Sequence, residues 1–267
     1  MKTDLLRYKY LPCNEGSLSV LSDGTMKFTS PKDFNDPFDC APDFDPAQHS
    51  KYIATRSDLI KNAGYALGLS PAQRIQKKPE MIKRYEKAVK SPEYGGEFTS
   101  RIGICSLSRD PLNLLMWAHY AESHTGFVVE FSIPTSAMGT HKEATDCILK
   151  WLYPQEVKYA QEKPSIDPFD DRLVSTEKHF LVKSADWEYE QEERVVDFIR
   201  GHGIHPYDRE RVLKSVIAGM RMKEEEFDEL KLTIEALNKE LATNVTLHRA
   251  RPLQGKFALY VPDRLEL

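Results

Sequence analysis

An α+β fold built on a mixed, mainly antiparallel sheet is what this sequence predicts, and three observations predict it. Apolar or alternating runs of strand length recur from Leu6–Leu11 to Phe257–Val261, with turn residues between them. Between residues 46 and 98 that pattern yields to polar, helix-forming sequence. Close to the C-terminal end, an apolar run, an amphipathic helix and another apolar run follow one another, which reads as a βαβ-like unit. With no linker-like stretch, repeat or low-complexity tract, residues 1–267 are expected to form one domain carrying 46–98 as a helical insertion or lid.

The elements follow in order. Leu6–Leu11 is short, aromatic and alternating, hence a strand. Asn14-Glu15-Gly16-Ser17 turns the chain into a brief helix around Leu18–Leu21. Asp23-Gly24 is a turn pair, and Thr25–Thr29 is the next strand. Pro31 and Pro37 bar regular structure, so Ser30–Asp39 is an ordered loop in which Asn35 and Asp36 bond their own backbone and Phe34 and Phe38 pin to the core. Lys51–Leu69 and Pro79–Lys90 are helices. Ile102–Ser108 is a strand; Asp110 caps a helix over Pro111–Ala121; Phe127–Phe131 is a buried strand. A helix near Glu143–Lys150, a strand near Glu156–Tyr159 and a helix over Lys178–Lys183 come next. Ser215–Met220, Lys223–Leu241 and Val245–Arg249 form the terminal strand–helix–strand.

Composition narrows the function. A hydrophobic share of 40% with 29% charged residues is that of a globular domain, and a net charge of -4 gives no basic field to attract nucleic acid. No apolar run reaches the ~20 residues that span a bilayer, and the N-terminus lacks a signal-peptide core. Cys13, Cys40, Cys105 and Cys147 form no CxxC pair, so reduced, packing cysteines and a cytoplasmic location are expected. The absence of GxGxxG, GxxxxGK and HExxH sequences argues against a Rossmann oxidoreductase, a P-loop enzyme and a zincin.

The most telling segment is Trp187–Arg194, four carboxylates and an arginine ahead of the apolar run Val195–Ile199. Read as the start of a strand, it puts Glu190, Glu192 and Arg194 on one face, with the two acids about 7 Å apart. Like charges so placed repel unless a cation, a sugar hydroxyl or a partner arginine uses them. The plainer account is a solvated helix-to-strand junction, with Arg194 paired to Glu190. His119 lies among core positions of its helix, where a packing role is the commoner one.

Three parts of the chain together carry a resemblance: Leu6–Tyr10 with Phe34-Asn35-Asp36-Pro37-Phe38-Asp39, Cys105–Ser108 with Leu115–Tyr120, and Trp187–Arg194. The ensemble resembles a bacterial family catalogued as a domain of unknown function, number 2971. It is more loosely similar to the ADP-ribosyltransferases, which set three short motifs on successive core strands around nicotinamide adenine dinucleotide (NAD). Here the corresponding residues are Arg7 or Lys9, then Ser106-Leu107-Ser108, then Glu190-Gln191-Glu192; Leu107 departs from the family's central threonine. The resemblance implies an enzyme that cleaves NAD as a substrate and passes ADP-ribose to a protein or nucleic-acid acceptor, in phage defence or as a toxin. Glu192 would stabilise the oxocarbenium-like ribose, Glu190 would orient the acceptor, and Ser106 would brace the ribose or Glu192. Arg7, Lys9, Tyr10, Ser108, Asn35, Asp36 and His119 would hold the dinucleotide. Two rivals stand beside it. A magnesium-dependent nuclease would use Asp36, Asp39, Glu190 and Glu192. A non-enzymatic partner-binding protein would instead pair its acids with Arg194, Arg7 or Lys183.

Overall fold

The computed structural model describes residues 4–91, 94, 96–135 and 149–264. They form two compact units, one from 1–30, 102–157 and 186–267, the other from 31–101 and 158–185. The helical stretch expected at 46–98 lies in the second, which also takes in 31–45 and 158–185.

The first unit is built on a seven-stranded sheet. Its strands are β1 (Leu5–Leu11), β2 (Gly103–Ser108), β3 (Phe127–Ile133), β4 (Gln155–Glu156), β5 (Glu192–Asp197), β6 (Leu213–Ala218) and β7 (Thr246–Arg249). Their spatial order is β7-β6-β3-β1-β2-β5-β4. The β6–β7 pair is parallel and every other neighbouring pair antiparallel. The helix Glu224–Leu241 joins β6 to β7, completing the βαβ unit. Leu230, Ile234 and Leu237 repeat at helical spacing, so one stripe of this helix is buried while Glu224, Glu225 and Glu226 occupy the first turn, where the helix dipole favours acids.

Both faces of the sheet are covered, which is why the central β3 is buried at all but one position. One face carries Cys105, Leu107, Phe127, Val129, Phe131 and Val195 against Val20, Leu21, Leu230 and Ile234. The other carries Tyr8, Tyr10, Val128 and Ile217 against Trp117 and Ala121. Successive residues point to opposite faces, so Val128 and Val129 serve different cores. Gly219 follows β6 where a Cβ would fall 2.1 Å from the His124 carbonyl oxygen.

Several expected boundaries shift. The helix expected over Pro111–Ala121 is Leu114–Tyr120, capped by Asn113, whose Oδ1 accepts from the amides of Leu115 and Met116 at 3.0 and 3.2 Å. Asp110 instead accepts from Leu112, closing a turn before the helix. The expected strand over 156–159 is divided: β4 joins the sheet, and Lys158–Ala160 pairs with Val182–Ser184 in the second unit. Only 149–150 of the helix expected near 143–150 fall among the described residues.

In the second unit, Pro46–Thr55, Ser57–Ala66 and Pro71–Val89 are helices. The single helix expected over Lys51–Leu69 breaks at Arg56, whose ψ of 79° is not helical. The third begins eight residues before the expected Pro79, because Ser70 and Gln73 form a reciprocal capping box there. Pro79 sits inside it on the solvent side. The helix expected over Lys178–Lys183 is Arg172–Phe180, capped by Asp171. Phe38 is 72% exposed and pins nothing. Among the described residues no helix is long and apolar enough to cross a membrane, and Cys13 and Cys105 are free thiols.

Candidate functional site

Five polar residues from five adjacent strands stand in one row across the first unit's sheet. Ser215 of β6 is opposite Glu130 of β3, Glu130 is opposite Tyr8 of β1, Tyr8 is opposite Ser108 of β2, and Ser108 is opposite Glu192 of β5. Residues directly opposed across antiparallel strands project to the same face, so all five share one side. None is more than 4% exposed. Buried carboxylates require partners, and each acid of the row has an arginine. Arg264 donates to both Glu130 oxygens at 2.8 and 3.1 Å. Arg194 donates to both Glu192 oxygens at 2.7 and 2.9 Å.

At Glu130, the Ser215 hydroxyl donates a short bond to Oε2 and the Tyr8 hydroxyl reaches Oε1 at 3.4 Å. Burial pushes the Glu130 carboxyl up, but the bonds from Arg264 and Ser215 outweigh it and hold the group below the usual carboxylate range. The Tyr8 phenol is pushed up by burial and then by the Glu130 charge, so it stays a donor.

At the other end of the row, Ala185–Glu190 is a 3-10 helix, and Gln191 has a φ of +44° before β5 begins. This corrects the strand expected to run unbroken through Glu190. The physical reason is that the carbonyls here bond to side chains rather than to a ladder: Asn113 Nδ2 donates to Tyr189 at 3.1 Å, and Ser108 Oγ to Glu190 at 2.7 Å. The Glu190 carboxylate accepts from Tyr120 at 2.6 Å. Tyr120 is pushed up by burial and by Glu190, keeping its proton for that bond. Arg194 pairs with Glu192 through its Nε at 2.7 Å.

The sheet brings Ser106, Ser108, Tyr10 and Glu192 to one face. Ser106 is opposite Arg194. Tyr10 donates to the Asp110 carbonyl at 2.7 Å and meets Trp117 edge-on at 5.5 Å. Arg7 and Lys9 lie on the other face, opposite Phe131 and Val129. Arg7 forms a two-point pair with Glu193 at 2.6 and 2.7 Å, and Lys9 donates to the Ser106 carbonyl at 2.8 Å. The first-strand residue level with Glu192 is therefore Tyr8. His119 is exposed, its ring 6.3 Å from those of Tyr120 and Tyr189. Asn35 and Asp36 belong to the second unit, Asn35 exposed and Asp36 buried with its Oδ1 accepting from the Phe38 amide at 2.9 Å. Among the described residues no group of three or more His, Cys, Asp or Glu is placed to hold a metal ion.

Sequence reasoning passed over Glu130, Tyr8, Tyr120 and Arg264. Glu130 had a signal: it is the one charged residue in Phe127-Val128-Val129-Glu130-Phe131, a run otherwise fit for burial on both faces. Arg264 had none.

Residues 116–195 match the family described as Protein of unknown function (DUF2971). This agrees with the resemblance drawn from the sequence and carries no activity with it. The matched stretch takes in Tyr120, Glu130, Glu190, Glu192 and Arg194, and leaves out Tyr8, Ser108 and Arg264. No curated protein and no solved structure matches the chain.

Proposed function

We propose that this chain cleaves NAD and transfers its ADP-ribose, with the acids at the start of β5 as the reacting groups. The observation that carries the reading is the side-by-side placement of Tyr8, Ser108 and Glu192 from three neighbouring strands. Glu190 is tied to the same spot through Ser108 and Tyr120.

As nicotinamide leaves, positive charge grows on the ribose, and a fixed carboxylate beside it lowers the barrier. A carboxylate offers roughly four acceptor positions. Arg194 takes one on each oxygen of Glu192. A ribose hydroxyl would be a further donor to this carboxylate, with Arg194 as a positioning residue that fixes its direction. Glu190 would orient the acceptor, a protein or nucleic-acid group. The first-strand role passes from Arg7 or Lys9 to Tyr8.

Nicotinamide release from NAD by the full chain tests this. Glu192→Gln is expected to slow release by about 100-fold or more, the usual loss when one charge-stabilising group is removed. No release and no calorimetric heat with NAD from the native chain would dispose of the reading, as would full activity in Glu192→Gln. One observation favours a second reading, a partner-binding protein without catalysis: Glu130, Glu192 and Glu193 are each closed by an arginine, as in a purely structural sheet. That reading is the one a negative NAD experiment would leave. The metal-dependent nuclease lacks a ligand cluster among the described residues.

A further inference from the structure

The second unit holds an open cleft of about 880 Å3, within its own residues. Ligand pockets for small molecules run from about 300 to 1,000 Å3, so the space suits a nucleotide-sized molecule. Its wall combines three chemistries. Pro31, Pro37, Pro42 and Pro46 make it stiff and remove four backbone N–H donors from it. Phe34 and Phe44 give flat apolar surface, and Phe44 is held edge-on by His49 and Tyr94 with ring centroids 5.6 and 5.1 Å away. Lys32, Lys90 and Lys163 supply charge.

The acids on the wall already have partners, in one case a lysine of the same wall. Asp36 Oδ1 accepts from the Phe38 amide at 2.9 Å, and Asp39 lies 3.6 Å from the ammonium of Lys183, both side chains nearly fully buried. Asp43 pairs with Lys163 at 2.9 Å, and Glu86 with Lys90 at 3.3 Å, but these two pairs are exposed to solvent and therefore weak. A multiply charged anion would compete with such partners. His179 has its imidazole pushed down by burial, so it adds a neutral ring rather than a charge. The three ammonium groups are the charged donors the wall offers to an anion. Lysine serves phosphate well as a point charge.

We infer that this cleft binds a nucleoside phosphate, its phosphates among Lys32, Lys90 and Lys163 and its ring against the Phe34 and Phe44 side. The site is distinct from the row at Glu192 and does not depend on NAD cleavage there. Calorimetric titration of the full chain with AMP, ADP, ATP and inorganic phosphate tests it. ADP or ATP is expected to bind at least tenfold tighter than inorganic phosphate. The double variant Lys32→Glu/Lys163→Glu is expected to lose tenfold or more of that affinity, with an unchanged circular dichroism melt as the folding control. Glu192→Gln should bind the nucleotide as the native chain does. No binding, equal binding in the lysine variant, or phosphate binding as well as ADP would each overturn the inference. If nucleotide binding fails while nicotinamide release persists, only the cleft assignment falls; if release fails while binding persists, only the catalytic reading falls.

Discussion

Arg264 closes a two-point bond on Glu130, a carboxylate at the centre of the sheet and 134 positions earlier in the chain. The Glu130 side chain is wholly buried and that of Arg264 is 13% exposed. A pair like this does little for stability relative to an apolar replacement, but removing one member strands a buried charge. Arg264→Ala should therefore lower unfolding free energy by about 3 kcal/mol, the low end for such losses, since Ser215 and Tyr8 still bond Glu130. Urea denaturation measures it, and an unchanged midpoint would contradict the account.

Arg7 separates stability from the proposed catalysis. It faces away from Glu192 and is paired with Glu193, with side-chain exposures of 14% and 7%. Arg7→Ala is expected to cost about 2 kcal/mol, between the values for surface and buried pairs. Nicotinamide release per folded molecule should not change. A tenfold loss of release with an unaltered melt would return Arg7 to the site.

Acid should weaken the fold in two steps. Burial pushes the His179 imidazole down, and burial with the Arg221 charge does the same to His124. The unfolded chain then binds those protons first, so stability is full above the unfolded value near 6.5 and declines as pH falls below it. Glu130 is also held low in the folded state, so its contribution is full above the ordinary carboxylate value near 4.3 and is lost as pH falls through the folded one. Urea midpoints from pH 8 to pH 3 should show both limbs. His179→Phe should shallow the upper limb and Glu130→Gln the lower; a profile that neither variant alters would refute the assignment.

Gly219 tests the packing behind β6. Its missing Cβ would meet the His124 carbonyl oxygen at 2.1 Å and the Gly126 oxygen at 2.9 Å. Neither neighbour can retreat easily, because Glu122, Ser123 and His124 already hold three successive positive φ values of 49°, 54° and 71°. Gly219→Ala is expected to cost about 3 kcal/mol, the upper range for overpacking. A thermal midpoint within a degree of the native one would show that the turn yields.

Much of the fold could be read locally. Leu5–Leu11, Phe127–Ile133 and the terminal strand–helix–strand emerge close to their expected places because alternation and helical spacing are properties of a few consecutive residues. Caps were less legible. Asn113 rather than Asp110 starts its helix, a choice between two side chains three positions apart, and Asn113 is also tied to the distant Tyr189 carbonyl.

The candidate site was legible only in part. Glu192 and Ser108 were identified, and they do stand opposite one another. Arg7 and Lys9 share a strand with Tyr8, but their side chains take the other face, which depends on which side of that strand meets which core.

By itself the sequence determined the α+β class, most strands of the main sheet with the terminal strand–helix–strand, and the polar character of the Trp187–Arg194 segment, since each follows from spacing within a short window. Tertiary structure alone decided that Glu130 faces Tyr8, that Glu192 is clasped by Arg194, and that Arg264 returns to the middle of the sheet. Burial of a carboxylate demands a cation, but which cation answers is set by strand pairing across long separations, and no local pattern records that choice.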